Sequence, residues 1–525
     1  MSSRTAGVLI PLFSIPSSSS WGIGEIGDVA HVARWLGAAG LRALQLLPIN
    51  EIAPGDTSPY SALSAMATDP QFISLDRLED FHALGGETRL APDLRATLDA
   101  ARIAPVVDYA AVRALKPRAL RRSFARFLET EWIGGTRRSA ALRAYIRDQA
   151  WWLDDYALFR ALHARYGERP WTDWPAPLGT RQPGALARAR EELADEILYR
   201  QYLQWIADDQ WAEARRDAAG IAIFGDLPFM VGIDSADVWT HQDEFRLDAS
   251  VGVPPDAFSP SGQDWGLPVY RWEVLAQRDF DWLRARGRRM ATLFDGYRVD
   301  HLVGLYRTYF RPHDGSTAAF TPADEEAQTR LGERVLAVLR ETGAEIVAED
   351  LGTVPDFVRA SLARAGVPGF KVLRWERHWH RDGHPFTDPA EYPAVAVAAS
   401  GTHDTETMAV WWEKAAQPER EAVLAIPSVL ARLAPEDRAQ AIDTAAFTSA
   451  LREALLGSLF ASGARRLILP MQDLFGWRDR INQPGTVGPM NWTWRLPWPS
   501  DRMAAEPVAR AAATRIREWA RTCAR

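Results

Sequence analysis

Short apolar runs that end in polar residues recur along the chain, and each has the length of a β-strand. Their Val, Ile, Leu and Ala residues follow one another with little alternation, as in parallel strands that are buried on both faces. Eight such runs occur, at 7–13, 41–48, 221–228, 296–301, 345–350, 370–375, 394–400 and 465–473. Helical patterns separate most of them, which predicts a (β/α)8 barrel, the TIM barrel fold.

Two intervals between these runs are too long for single helical crossovers. Residues 49–220 contain several helical patterns and predict a helix-rich insertion. Residues 229–295 include a stretch rich in Gly and Pro and predict a loop-rich insertion. No clear Ser-, Gly- or Pro-rich linker divides the chain, so we expect residues 1–525 to form a single barrel with two insertions rather than several domains.

Composition excludes several classes of function. The chain has 61 basic and 68 acidic residues and a net charge of −7, which argues against a nucleic-acid-binding surface. Cys523 is the only cysteine, so neither a disulfide framework nor a thiolate metal site is expected. No apolar run approaches the roughly 18 residues of a membrane span. With no signal-peptide pattern at the N-terminus, we expect a cytoplasmic protein.

Acidic side chains follow five of the eight predicted strands, at Asp226, Asp300, Glu349 and Asp350, Asp404, and Asp473. The C-terminal ends of barrel strands share one rim, where reacting groups lie. Crowding negative charge there costs energy, so the pattern favours an active site over ordinary helix caps. Paired carboxyl groups suit acid–base chemistry on a glycosidic bond. The main alternative, a metal site of Asp and Glu oxygens, has no HExxH or calcium-loop motif to support it.

The fourth predicted strand ends in Arg298 and Asp300, which lie two positions apart and therefore on one face. Two interpretations fit this pair. It is either a satisfied ion pair where a strand meets solvent, or a carboxylate that a guanidinium keeps ionised for nucleophilic attack. The segment alone leaves both open.

Longer motifs connect the chain to a known family. The motifs are WGIGEIGD (21–28), SPYSALSAMATDP (58–70), GDLPFMVGIDSADVW (225–239), GVPPDAFSPSGQDWGLPVY (252–270), RVDH (298–301), AEDLG (348–352), GTHDTET (401–407), RINQPGT (480–486) and MNWTWRL (490–496). With all of them in family order, the chain resembles the 4-α-glucanotransferases called amylomaltases or disproportionating enzymes, glycoside hydrolase family 77.

The resemblance implies a retaining enzyme that transfers α-1,4-glucan segments from a maltooligosaccharide to the 4-hydroxyl of another glucan or of glucose, without a cofactor or metal. It implies Asp300 as nucleophile, Glu349 as general acid/base and Asp404 as transition-state stabiliser. Arg298 would favour the ionised form of Asp300. Glu349 would need a raised pKa to hold its proton. Strand alternation does not distinguish Glu349 from Asp350, and only the resemblance favours Glu349.

The resemblance also implies a set of sugar contacts at Tyr60, Asp226, Trp265, Arg298, His301, His403 and Asn482. The segment 252–270, within the second insertion, would cover the active site, with Phe258 and Trp265 over bound sugar. Starch- or glycogen-derived glucans would be the binding partners. The chain departs from family habit at Leu44, Ile233, Ile481 and after His301, which bears on acceptor preference and chain length.

Two alternative functions follow from the same residues. A hydrolase of the α-amylase type would share the first half-reaction and use water as the acceptor. A non-catalytic glucan-binding protein on an inherited barrel would be expected to have lost a catalytic carboxylate, and all three are present. No sequence feature specifies an oligomeric state.

Overall fold

The computed structural model describes residues 4–255 and 262–525, so Phe258 lies outside the described residues. Its strands in chain order are β1 (Thr5–Leu9), β2 (Ala43–Gln45), β3 (Ala222–Leu227), β4 (Phe245–Val253), β5 (Gln263–Tyr270), β6 (Gly296–Val299), β7 (Thr308–Pro312), β8 (Ala319–Thr321), β9 (Glu345–Ala348), β10 (Gly369–Val372), β11 (Ala396–Ala399) and β12 (Arg466–Pro470).

Eight of these strands close into a parallel barrel in the order β1-β12-β11-β10-β9-β6-β3-β2. Each of the eight apolar runs in the sequence contains or overlaps one barrel strand. The strand cores are almost wholly buried, as in β6 and β11, where every residue is buried. The predicted (β/α)8 fold is therefore confirmed.

The α-helices of the described residues lie between and around these strands. They are α1 (Val29–Ala38), α2 (Glu79–Ala83), α3 (Pro92–Ile103), α4 (Tyr109–Phe127), α5 (Arg137–Arg165), α6 (Ala176–Gly179), α7 (Pro183–Glu192), α8 (Ala194–Asp217), α9 (Ala236–Thr240), α10 (Trp272–Gln277), α11 (Asp281–Leu293), α12 (Glu325–Arg340), α13 (Asp356–Ala365), α14 (Met408–Lys414), α15 (Gln417–Leu424), α16 (Pro427–Leu430), α17 (Pro435–Thr444), α18 (Ser449–Phe460), α19 (Met471–Phe475) and α20 (Pro507–Thr522). No helix in this described part is long and apolar enough to cross a membrane.

Helices α2–α8 occupy the interval between β2 and β3, and α8 joins them to the barrel. Arg289 on α11 donates from Nη1 and Nη2 to the two carboxylate oxygens of Asp208 on α8, at 2.8 and 2.7 Å. The Trp211 indole N–H donates to the Leu293 carbonyl at 2.7 Å. These three hydrogen bonds connect α8 to the helix that leads into β6, the strand of Arg298.

Strands β5, β4, β7 and β8 form a separate four-stranded antiparallel sheet. Residues 229–295 predict a loop-rich insertion, whereas the structure has β4 and β5 there. Gly266 and Pro268 within β5 are typical of loops, and register shifts interrupt the β4–β5 pairing. The sheet also depends on pairing of β4 with β7, which lies beyond that interval and leaves no local pattern.

Candidate active site

Strand register brings the acidic residues of the rim together. β3 and β6 pair with Asp226 opposite Arg298, and β6 and β9 pair with Val299 opposite Ala348. Asp300 and Glu349 are the residues that immediately follow these two strands. The C-terminal ends of three adjacent strands therefore supply the floor of one site, as expected for a barrel.

Arg298 is the centre of this floor. Its buried guanidinium donates from Nη1 to both oxygens of Asp226, at 2.9 and 2.7 Å, and from Nη2 to Asp300 Oδ1 at 2.7 Å. Glu349 Oε2 lies 3.9 Å from the same Nη2. A planar guanidinium with several donors fits this geometry, which a lysine could not reproduce. The ion pair that the sequence left open as a surface feature is thus part of a larger buried cluster.

Glu349 occupies an environment that favours its protonated form. Burial, together with the negative charge of Asp300, raises its pKa to about 7, although Arg298 opposes the shift. Its oxygens accept the main-chain N–H groups of His301 and Leu351, at 2.9 and 3.0 Å, which fix the carboxyl group in place.

Asp350, the neighbour of Glu349, has different partners. Its carboxylate accepts from the Phe370 N–H at 2.7 Å and from Arg359 Nη1 at 2.9 Å. These bonds tie it to β10 and α13. The structure therefore separates the two adjacent acids, and Glu349 is the one beside Arg298.

Asp404 has the opposite electrostatic environment from Glu349. Burial alone would raise the pKa of its carboxyl group, but His403 and a hydrogen bond from Asn482 hold that pKa well below its usual range. Asn482 Nδ2 donates to Asp404 Oδ1 at 2.6 Å, and His403 Nε2 lies 3.3 Å from Oδ2. Asp404 is therefore kept as an anion.

Tyr60 links the two sides of the site. Its hydroxyl donates to Asp226 Oδ2 at 2.7 Å and lies 3.0 Å from His403 Nε2. Its ring stacks on that of His403, with centroids 5.5 Å apart and planes inclined by 20°. Trp492 contacts both rings, at 5.8 Å from Tyr60 and 5.9 Å from His403.

An aromatic wall lies beside Asp300. His301 has a left-handed backbone with φ of 40°, and burial lowers the pKa of its imidazole to about 4, so the ring is neutral near pH 7. The Trp265 ring meets it edge-on at 5.0 Å, and Phe229 lies 5.1 Å from it and 6.0 Å from Trp265. Strand β5 thus places Trp265 against His301, the residue next to Asp300.

The three expected catalytic carboxylates and the seven expected sugar-contact residues fall in this one connected set of contacts, whereas the rim acid Asp473 does not. The Asp473 carboxylate accepts from Ser400 Oγ and from the Met408 N–H at 2.7 Å, so it caps the start of α14. Sequence reasoning missed Phe229 and Arg480, whose guanidinium donates to the main-chain oxygen of Asp404. Arg480 stands in the RINQPGT motif, two positions before Asn482, which was the available signal.

Asp300 and Glu349 lie close to one shared cation, which limits how far apart their carboxyl oxygens are. Arg298 Nη2 lies 2.7 Å from Asp300 Oδ1 and 3.9 Å from Glu349 Oε2, so these oxygens are no farther apart than the sum of the two distances. That limit lies at the short end of the roughly 6.5–9.5 Å spacing of inverting enzymes and accommodates the roughly 5–5.5 Å of retaining ones. Within residues 4–255 and 262–525, no group of three His, Cys, Asp or Glu side chains has the arrangement of a metal site. Fold and site together describe a TIM barrel with a cluster of carboxyl groups at the C-terminal ends of its strands.

Comparisons with known proteins identify the family. Residues 10–501 match the glycoside hydrolase family 77 model, described as 4-alpha-glucanotransferase. The 4-alpha-glucanotransferase of Thermus thermophilus is 35% identical over 510 residues, covering 94% of this chain and 95% of its own. The Synechocystis 4-alpha-glucanotransferase is 34% identical over 507 residues, covering 94% of both. The solved amylomaltase of Streptococcus agalactiae in complex with acarbose superposes with a TM-score of 0.82 at 27% identity, covering 99% of each chain. The chain therefore belongs to the 4-alpha-glucanotransferase family, as the sequence resemblance implied.

Proposed function

We propose that this enzyme transfers α-1,4-glucan segments by a double displacement in which Asp300 is the nucleophile and Glu349 the general acid/base. The observation that carries the assignment is Arg298, which hydrogen-bonds Asp300 at 2.7 Å and lies 3.9 Å from Glu349. Asp300 is thereby held by a cation beside an acid whose pKa, raised to about 7, lets it hold a proton near neutrality.

In the first half-reaction Asp300 attacks the anomeric carbon of the donor while Glu349 gives its proton to the leaving glycosidic oxygen. The α-glycosidic C–O bond breaks and a β-glycosyl ester forms on Asp300. In the second half-reaction Glu349 takes the proton from the 4-hydroxyl of the acceptor, whose oxygen displaces Asp300. Two inversions restore the α-configuration.

The remaining polar groups hold the sugar while charge develops on its ring. The anionic Asp404 stabilises the oxocarbenium-like transition state electrostatically, and His403 and Asn482 keep it in position. Asp226, Arg298 and Tyr60 line the same floor and can bind sugar hydroxyls. Maltooligosaccharides from starch or glycogen are the proposed donors, because the related amylomaltase was solved in complex with acarbose.

Incubation with maltotriose tests the reaction. Glucose together with a ladder of longer maltodextrins is the expected product pattern of a transferase. Glucose and maltose without longer products would instead identify a hydrolase. No products at all would leave only a glucan-binding protein.

Carboxyl substitutions test the assigned roles. We expect Asp300→Asn and Glu349→Gln each to lower kcat by at least about a thousandfold, because each removes the nucleophilic charge or the transferable proton. Glu345→Gln is the matched control, since Glu345 lies at the opposite end of β9, where it pairs with Arg466 at 2.6 Å. Near-normal transfer by Asp300→Asn, with an unchanged melting temperature, would remove Asp300 from the nucleophile's role.

A further inference from the structure

Arg480 lies in the loop that follows β12 and α19, next to the loop that carries Asp404. Its Nη2 donates to the Asp404 main-chain oxygen, and its Nε donates to the Asn482 main-chain oxygen. Among the described residues its guanidinium has no ion-pair partner within 4 Å, so these main-chain oxygens are its hydrogen-bond acceptors. The guanidinium of Arg480 is thus committed to two main-chain carbonyls beside Asp404.

These two bonds act together with two hydrogen bonds from Asn482 to connect the loop of Asp404 with the loop of Asn482. Asn482 donates from its main-chain N–H to the His403 oxygen at 3.1 Å and from its side chain to Asp404 Oδ1 at 2.6 Å. Arg480 holds the main-chain oxygens of the same two residues, Asp404 and Asn482. Both partners in the Asn482–Asp404 hydrogen bond are therefore fixed by one rigid guanidinium.

We infer that Arg480 is a positioning residue that sets the Asp404 carboxylate against the reacting sugar ring by locking the Asp404 loop to the Asn482 loop. The inference rests on the proposed function, in which Asp404 stabilises the transition state. A carboxylate displaced by about 1 Å can cost about a hundredfold in rate, because electrostatic stabilisation depends on preorganised geometry.

The test compares Arg480→Ala and Arg480→Lys with Arg478→Ala on maltotriose. Arg478, two positions earlier, is exposed and pairs with Glu413, so its loss provides a matched control with no link to Asp404. We expect Arg480→Ala to lower kcat about ten- to a hundredfold with a smaller change in KM. Arg480→Lys should recover only part of the loss, since an ammonium group cannot reproduce the two-pronged contact. Low concentrations of guanidinium chloride should partly restore Arg480→Ala.

A double-mutant cycle provides a second readout. In an Asn482→Ala background the Asn482–Asp404 bond is already absent, so Arg480→Ala should cost clearly less there than in the wild type. Thermal melts of every variant report on folding.

A kcat for Arg480→Ala as close to wild type as that of Arg478→Ala would overturn the inference. So would a loss that is additive in the cycle, unrescued by guanidinium and parallel to a fall in melting temperature, because those results describe a purely structural residue. If the wild type itself formed no transfer products, the proposed function would fail instead. The wild-type assay therefore separates the two failures.

Discussion

At the scale of single residues, the site surrounds two carboxyl groups on one rim with environments that shift their pKa values in opposite directions. Glu349 accepts the main-chain N–H groups of His301 and Leu351, and burial outweighs the nearby Arg298, so its pKa rises to about 7. Asp404 is partly exposed, and Asn482 and His403 contact it directly and stabilise its anion. These opposite shifts support the proposed roles of Glu349 as proton donor and Asp404 as fixed charge.

The pKa of Glu349 predicts the alkaline limb of the pH–rate profile. Glu349 must be protonated to release the leaving group, so kcat/KM should fall as pH rises through about 7. Steady-state rates on maltotriose between about pH 5 and 9 measure this limb.

A donor that needs no protonation serves as the control for this limb. An α-maltosyl fluoride releases fluoride without a proton from Glu349, so its glycosylation step should lose the alkaline limb. Persistence of the same limb with the fluoride donor would assign it to another group.

At the scale of elements, the antiparallel sheet places an aromatic side chain near Asp300, the proposed nucleophile. Strand β5 places Trp265 edge-on to His301 at 5.0 Å, and the indole N–H donates to Gln263 on the same strand at 3.0 Å. Water is far more concentrated than any sugar acceptor. Transfer can therefore prevail only if the glycosyl-enzyme is shielded or binds the acceptor well.

We predict that Trp265→Ala raises the hydrolysis-to-transfer ratio on maltotriose. Loss of about 1 kcal/mol, the size of one aromatic contact, would change the ratio about fivefold. The measurement is the yield of free reducing ends against longer maltodextrins.

Trp151→Ala is the matched control for Trp265→Ala, since Trp151 is a partly exposed indole on α5. It should leave the ratio unchanged. An unchanged ratio in a normally folded Trp265→Ala variant would leave Trp265 as packing alone.

At the scale of the whole molecule, the inserted helices are held together by buried charge. Asp80 on α2 is fully buried and accepts from Arg126 at 2.6 Å, from Arg138 at 2.8 and 2.6 Å and from the Tyr202 hydroxyl at 2.8 Å. Burial opposes its ionisation, but these donors hold the pKa of Asp80 below its usual range. One carboxylate thus connects α2, α4, α5 and α8.

We predict that Asp80→Ala lowers the free energy of unfolding by about 3 kcal/mol, because it leaves two arginines without their buried partner. Glu79→Ala is the control, since Glu79 is exposed and lies 3.5 Å from Arg138; it should cost no more than about 0.5 kcal/mol. Urea denaturation at pH 7 measures both.

The depressed pKa of Asp80 also predicts a pH dependence. Its stabilisation is present at neutral pH and is lost as pH falls through the folded-state pKa. The difference in stability between wild type and Asp80→Ala should therefore shrink in acid. An equal effect of Asp80→Ala and Glu79→Ala at pH 7 would exclude this role for Asp80.

The sequence by itself determined the barrel and the identity of its rim. Continuous apolar runs are a local property that buried parallel strands require, so all eight barrel strands could be located. The acids that follow them are equally visible, because a barrel places all C-terminal strand ends on one face. Arg298 and Asp300 needed only strand alternation to be placed together.

Only the tertiary structure decided which neighbours these groups meet. The different surroundings of Glu349 and Asp350 depend on hydrogen bonds from His301 and Phe370, which are distant in sequence from one another. The sheet of β4 and β5 required pairing with β7, and the link from Arg480 to Asp404 crosses 76 positions. Such contacts join residues that are far apart in sequence, so no local pattern in the chain predicts them. Their geometry is set when the strands pair in register and the loops after adjacent strands come within hydrogen-bonding distance.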